Sequence, residues 1–233
     1  VCMKNVMNID TPFFRAMGKI GDIFLLNVIF VITSLPLITI GASITALMTI
    51  AIKMTTNKEG YIVSGYLKAF RSNFKQATMI HILSAVLGGI LFFDLHFWVS
   101  LQNKNAGFMI IISVIPIMVY CMVLLYVYVQ QAIFENRITA TIRNALLMAV
   151  KNLPGTLLLG IVVIAIICVT YFFESVRIFM VLYGFGLSGY GMAVVYRYIY
   201  REYLDEPEEE NAELPDESVN ENIEKLGIEW KRE

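Results

Sequence analysis

The sequence predicts an all-α fold, a polytopic transmembrane helix bundle with five or six membrane segments and two amphipathic helices on the cytoplasmic side. Three observations carry that prediction. Of the 233 residues, 58% are apolar and only 16% charged, whereas soluble domains carry about 45–50% and about 25%. Apolar runs long enough to cross a hydrocarbon core of about 30 Å, which takes roughly 20 helical residues, recur along the chain. The charges are also segregated: from Glu202 to the end thirteen acids face Lys225, Lys231 and Arg232, a net of −10 that leaves the preceding residues at +9. A basic membrane domain, 1–203, is therefore followed by an acidic tail, 204–233, too charged and too poor in apolar residues to build a core, and expected to be largely disordered.

The elements follow in order. Asp10 or Thr11 can cap a short interfacial helix, 11–19, with Pro12 in its first turn and Phe13, Phe14 and Met17 beside Arg15 and Lys19. The apolar stretch from Ile20 to Ile52 would measure about 50 Å as one helix. It has no small-residue cleavage pattern at its end and is expected to be retained rather than removed as a signal. Ser34, Leu35 and Pro36 interrupt it and Gly41 follows, and proline bends or ends a helix. The stretch is thus either one kinked span or two short spans, 20–35 and 37–55, forming a hairpin with Pro36 near its far side. Four plain spans follow at 77–99, 106–131, 155–173 and 178–200.

Two connections read as amphipathic helices. In 61–75, Ile62, Tyr66, Phe70 and Phe74 form an i, i+4 stripe opposite Lys68, Arg71 and Lys75; in 138–152, Ile138, Ile142, Ala145, Leu146, Ala149 and Leu153 do the same, with Arg143 and Lys151 on the polar face. Such helices suit an anionic lipid surface or the docking of a cytoplasmic partner. An internal repeat with an offset of 79 relates the two: Asn57-Lys58 falls on Asn136-Arg137, Leu67 on Leu146, and Asn73-Phe74 on Asn152-Leu153. Basic residues orient the chain, since cytoplasmic loops carry excess Lys and Arg. With a hairpin, thirteen cations lie on the side of both termini and only Lys104 and Arg177 on the other. The rule favours the hairpin and cytoplasmic termini.

Polar residues inside apolar spans are expensive and mark candidate sites. Asp22 and Asn27 lie in the first run, His81, Asp94 and His96 in the third, Gln130 and Gln131 at the end of the fourth. His81 and the glutamines fall near the inner boundary, and Asp94 and His96 point to different helix faces, so no joint proton or metal site is expected. Gly184, Gly186, Gly189 and Gly191 sit in a membrane span, where small residues let helices approach. Cys2, Cys121 and Cys168 are scattered and read as small packing residues. No HExxH, GxSxG, P-loop or paired-cysteine pattern occurs, so neither enzymatic activity nor a cofactor or metal is expected, and nothing beyond membrane-explained basic charge suggests nucleic acid.

The stretch Asn8-Ile9-Asp10-Thr11-Pro12-Phe13-Phe14-Arg15 is followed by Gly18-Lys19-Ile20-Gly21-Asp22, Asn27, Ser34-Leu35-Pro36, Thr39-Ile40-Gly41-Ala42-Ser43 and Thr45-Ala46-Leu47. With Glu59-Gly60-Tyr61, Phe70 and Asn73-Phe74-Lys75-Gln76-Ala77-Thr78, it resembles the YesL-like family of bacterial membrane proteins, domain of unknown function 624. The resemblance covers most of residues 5–200 and excludes the acidic tail. Members are typically encoded near carbohydrate uptake systems, so it implies a multi-pass protein of the bacterial cytoplasmic membrane associated with sugar uptake, and it supplies no catalytic residue. The resulting expectation is an accessory or regulator of an ABC-type carbohydrate transporter, in contact with membrane lipids and with a transporter subunit; the alternatives are an autonomous small-solute transporter or a membrane sensor. Lys68, Arg71, Lys75, Arg143 and Lys151 are the candidate contact residues, and Asp22, Asn27, Pro36, Gly41, Asn73 and Asn152 the candidate structural motif.

Overall fold

The computed structural model describes residues 12–58, 60–101, 106–134 and 136–204. The chain divides into two compact units, Val1–Ile199 and Tyr200–Glu233. Of the second, the described part is a single turn, α9 (Arg201–Leu204), closed by the Tyr203 N–H on the Tyr200 carbonyl at 2.9 Å. The acidic tail beyond it, and the capping residues Asp10 and Thr11, lie outside the described residues.

In the first unit every described element is helical: α1 (Pro12–Ser34), a 3-10 turn (Leu37–Thr39), α2 (Ile40–Thr55), α3 (Ile62–Ser100), α4 (Ala106–Ile133), α5 (Ile138–Lys151), α6 (Leu153–Phe172), α7 (Glu174–Phe179), a π turn (Met180–Gly184) and α8 (Phe185–Ile199). Six stretches are long and apolar enough to cross a membrane: Met17–Ser34, Leu37–Thr55, Ile62–Ser100, Ala106–Ile133, Leu153–Phe172 and Glu174–Ile199. Residues 20–52 therefore form two helices, as in the hairpin alternative. Large apolar side chains along α3, α4 and α6 (Ile82, Val86, Ile90, Ile111, Ile115, Ile161, Ile164) face outward, which suits lipid and would not suit water.

Two boundaries differ from those read in the sequence. The interfacial helix expected at 11–19 is the first part of α1, which continues unbroken to Ser34. The amphipathic segment 61–75 and the span 77–99 are one helix, α3, of 39 residues and about 58 Å at 1.5 Å per residue. In the second copy of the repeat the same step is a true break, between α5 and α6. The reason lies in one substitution between the copies. Where the first copy has Lys75, the second has Pro154, which has no N–H to donate back to the preceding turn. Asn152 accordingly leaves the helical region (φ −118°, ψ 51°), and its carbonyl caps α6 by accepting the Thr156 N–H at 2.9 Å. Asn73 instead stays helical, its Nδ2 donating to the Ala69 carbonyl one turn back at 3.0 Å.

α2 is the central helix. Gly41, Ala42, Ser43, Thr45 and Ala46 are all buried, and such small side chains let backbones approach closely. A Cβ on Gly41 would come within 2.6 Å of both the Ala77 carbonyl oxygen and the His81 Cβ, so α3 crosses there with room for glycine alone. On the other side of α2, a Cβ on Gly189 of α8 would meet Leu47 at 3.0 Å. The close-packing role expected for the glycines of the last span thus falls to Gly186 and Gly189; Gly191 has no neighbour within 4 Å of its would-be Cβ. The packing role expected for the cysteines is not found where they are described: Cys121 on α4 and Cys168 on α6 are exposed, because both fall on the outward faces of their helices.

The first and last spans are joined by Asn27, which is fully buried. Its Nδ2 donates to the Val181 carbonyl at 2.7 Å, and its Oδ1 accepts the Gly186 N–H at 2.9 Å. These two backbone groups lie five residues apart, across the π turn, where the ordinary helical ladder is perturbed. Gly186 permits the approach, since a Cβ there would sit 2.6 Å from the Ile23 carbonyl oxygen. Replacing Asn27 by Ala orphans a buried donor and a buried acceptor and should cost about 1–3 kcal/mol of stability. Thermal unfolding of the purified variant in detergent checks this, and a midpoint equal to that of the wild type would sink it.

Candidate functional site: the basic end of the bundle

One end of the first unit gathers helix termini and cations. The C-terminal carbonyls of α2 accept hydrogen bonds from two other helices: Lys19 Nζ of α1 to Met54 at 3.5 Å and Arg197 of α8 to Thr55 at 2.7 Å. Cations at that position also complement the negative end of the α2 dipole. Ile199, at the end of α8, lies over Gly155 at the start of α6. Thr156 in turn shares a hydrogen bond with Tyr126 of α4 at 3.0 Å and donates to the Ala149 carbonyl of α5 at 2.8 Å. The end of α4 ties to α3 through Gln131 Nε2, which donates to Asn73 Oδ1 at 3.1 Å, and Gln76 Nε2 donates to the Asn136 carbonyl. The start of α1, the ends of α2, α4 and α8 and the starts of α3 and α6 therefore share one end of the unit.

Two clefts open beside the first turns of α3. One, of about 790 Å³, is bounded by Asp22 and Leu25 of α1 and by Tyr61, Lys68 and Arg71. The other, of about 640 Å³, lies between Lys53 of α2, Lys68 and the amides of Asn73, Gln76 and Gln131, with Arg137 at its edge. Lys68 stands on the ridge between them. Gln131 is 5% exposed, and its Oε1 has no hydrogen-bond partner among the described residues.

The apolar stripe of α3 does not lie open to lipid. Ile62, Tyr66 and Ala69 are buried, and the Tyr66 hydroxyl reaches the Thr33 hydroxyl at 2.7 Å and the Ser43 carbonyl at 3.3 Å. Only the end of the stripe, Phe74, emerges. α5 is similar: Thr141, Ala145, Met148 and Ala149 are buried. Most of the α3 stripe and the small residues of α5 are thus taken by packing inside the protein, while Leu147, Val150 and Leu153 stay exposed; the cations point away from that packing, and Lys68, Arg71, Lys75, Arg143 and Lys151 are all exposed.

The remaining candidates are structural. Pro36 forms the exposed hairpin tip, Gly41 the α2–α3 contact and Asn27 the bridge to the π turn, while Asp22 is half-buried at the rim of the first cleft. Asn73 and Asn152 occupy equivalent repeat positions with different roles. Asp94 holds the opposite end of α3 to α4, accepting from Ser113 Oγ at 2.5 Å and Trp98 Nε1 at 3.1 Å, and His96 stacks on Phe92. Sequence reasoning missed Lys53, Gln76 and Arg137 as cleft residues and Tyr66 and Thr156 as ties. The one visible signal was Gln130-Gln131 inside an apolar run, where a boundary position explained the pair equally well.

The exposed cations are expected to be dispensable for folding. Lys68→Glu, Arg71→Glu and Arg143→Glu should each leave stability within about 0.5 kcal/mol, whereas Tyr66→Phe should cost about 0.5–1.5 kcal/mol through its lost hydrogen bonds. Thermal melts of the four variants in one detergent test the ordering; a Lys68→Glu loss as large as that of Tyr66→Phe would contradict it.

Neither the curated proteins nor the solved structures contain a significant match to this chain. The family model described as "Protein of unknown function, DUF624" matches residues 23–95, from α1 through most of α3. That segment holds Asn27, Pro36, Gly41, Tyr66 and Asn73, and over it the chain is similar to the DUF624 family, the resemblance anticipated from its N-terminal motifs.

Proposed function

We propose that this protein is a membrane-embedded accessory of carbohydrate uptake, which binds a cytoplasmic subunit of an ABC-type transporter through the basic end of its bundle. One observation carries the docking part: Lys68, Arg71 and Lys75 are exposed on a helix whose apolar stripe is already buried against α1 and α2. A helix whose purpose was to float on lipid would keep that stripe for the acyl boundary. Exposed cations above two clefts suit an acidic surface on a soluble partner, with charge steering the encounter and setting its register. The carbohydrate part rests on the family resemblance. For an autonomous transporter a polar site at mid-membrane is needed, and the cavity between α1, α2, α4, α6 and α8 is lined mostly by apolar side chains such as Phe30, Leu47, Leu124, Val163 and Met192, with Ser34, Tyr128, Ser188 and Tyr196 among them.

The same cations support an orientation in which both termini face the cytoplasm across the bacterial cytoplasmic membrane, since cytoplasmic loops carry excess Lys and Arg. A cysteine placed at position 4, in a background lacking Cys2, Cys121 and Cys168, should react with a membrane-impermeant thiol reagent only after permeabilisation. Efficient labelling of intact cells would reverse the orientation.

Changing Lys68, Arg71 and Arg143 to Glu should abolish co-purification of the transporter subunit and labelled-sugar uptake while membrane abundance stays constant. Unchanged partners and unchanged uptake would reject docking.

A further inference from the structure

The α1–α2 hairpin is shallow. Its Gly41 packs against Ala77 and His81, well before α3 ends at Ser100. On the opposite wall, Ser34 and Leu35 share a cavity with Ile166 and Ile167, short of the turn at Phe173. α3 runs beside α2 from the cleft at Lys53 to the contact at Gly41, and along that stretch Lys68, Arg71 and Lys75 are exposed. A row of exposed ammonium and guanidinium groups does not sit in hydrocarbon, so this flank of the hairpin lies at the headgroups and its tip reaches only partway into the bilayer.

The tip is built for such a place. Leu35 and Leu37 are 76% exposed and Ile38 61% exposed, and residues 31–41 contain no charged side chain. Carbonyls of the irregular backbone are satisfied from within: Thr39 Oγ1 donates to the Thr33 carbonyl at 2.6 Å, and the Pro36 carbonyl accepts from the Thr39 N–H at 3.0 Å. Backbone at membrane depth has to be satisfied internally in this way. By contrast α7, just after the turn that follows α6, carries Glu174 and Arg177, paired at 3.1 Å, as an aqueous boundary allows.

A shallow hairpin leaves a groove above it. The cavity at the tip, about 660 Å³, and the next one outward, about 720 Å³, share Ile166, Ile167, Phe185 and Ser188 and are therefore adjacent along α6 and α8. The outer one is bounded by Arg177. From Arg177 to Met192 the helix axis covers about 22 Å at 1.5 Å per residue, more than the roughly 15 Å of one leaflet's half of the hydrocarbon core.

We propose that this groove is a phospholipid site: a lipid of the leaflet opposite the basic end lays one acyl chain along α6 and α8 down to the hairpin tip, with its phosphate on Arg177. The walls match an acyl chain in polarity, and the guanidinium sits where the headgroup must be and has donors beyond the one used on Glu174. The hairpin then enters and leaves on one side, and only α3, α4, α6 and the continuous α7–α8 cross the bilayer.

The full chain, reconstituted in phosphatidylethanolamine–phosphatidylglycerol vesicles and re-extracted in mild detergent, should retain phospholipid detectable by native mass spectrometry. Ser188→Trp and Ile167→Trp, which fill the groove, should lower the retained lipid about tenfold, and Arg177→Gln should lower retained phosphatidylglycerol by a similar factor. Unchanged retention in both tryptophan variants would overturn the site. Should those variants fold poorly, a spin label on Leu37→Cys, at an exposed position, decides the depth: it should collide with oxygen more than with an aqueous nickel chelate. Free access of the chelate to that label would put the tip in water and reject the proposal.

Discussion

The carboxamide of Asn27 is the interaction on which the arrangement of the bundle depends. Helix association in a membrane gains little from the hydrophobic effect and rests on close packing and on hydrogen bonds without competing water. A side chain that donates to Val181 and accepts from Gly186 joins the first span to the last, although they are more than 150 residues apart in sequence. Closing that distance brings the end of α8 beside α2, where Arg197 caps the Thr55 carbonyl, and confines α2 between α1, α3 and α8. On its other side α2 is buried by α3, which crosses it at Gly41. The two ends of the contact are unequal in sequence: Asn27 lies in the segment that matches the family model and Gly186 outside it.

The two halves of the molecule handle one topological problem in different ways. A chain coming down a span must turn and go back, and both copies of the repeat use an Asn-basic step to do so. Asn57 takes the left-handed conformation, φ 55°, which Asn tolerates better than most residues. The first copy then climbs in a single long helix; the second turns through α5 and restarts after Pro154. Because α3 is continuous, its amphipathic half is held rigidly against α1 and α2, and its cations form a fixed array. α5 is a separate short helix, and Arg143 and Lys151 line neither of the clefts beside Lys68. The basic end is therefore a ridge with recesses on either side, and charge reversal on the ridge can be read without loss of the fold.

Polar residues within the apolar stretches serve mainly as ties. Asp94 joins α3 to α4 at one end and Gln131 joins them at the other, while Tyr66, Thr33 and Ser43 form one connected cluster among α1, α2 and α3. Each tie replaces water that a membrane interior does not supply. Local pattern reading treats such residues as suspects for chemistry or as boundary markers. What separates a tie from a site is a partner on another helix, and that partner is remote in sequence.

The class of fold, the apolar segments to within one, the break at Ser34-Leu35-Pro36, the two basic amphipathic stretches and the resemblance to the DUF624 family were legible in the chain itself. Each is a local property: hydropathy over a helix length, a missing N–H, a period of 3.6, a run of motif residues. The continuity of α3 was locally encoded too, in the absence of any breaker between Tyr66 and Ala77, but the matching helix break in the second copy obscured it. Tertiary structure alone decided which face of each amphipathic helix was already taken, which polar residue met which, and how far the hairpin tip reaches along its neighbours. Those are distances between residues far apart in sequence, fixed where a glycine such as Gly41 or Gly186 allows two backbones within contact, and hydropathy carries no record of them.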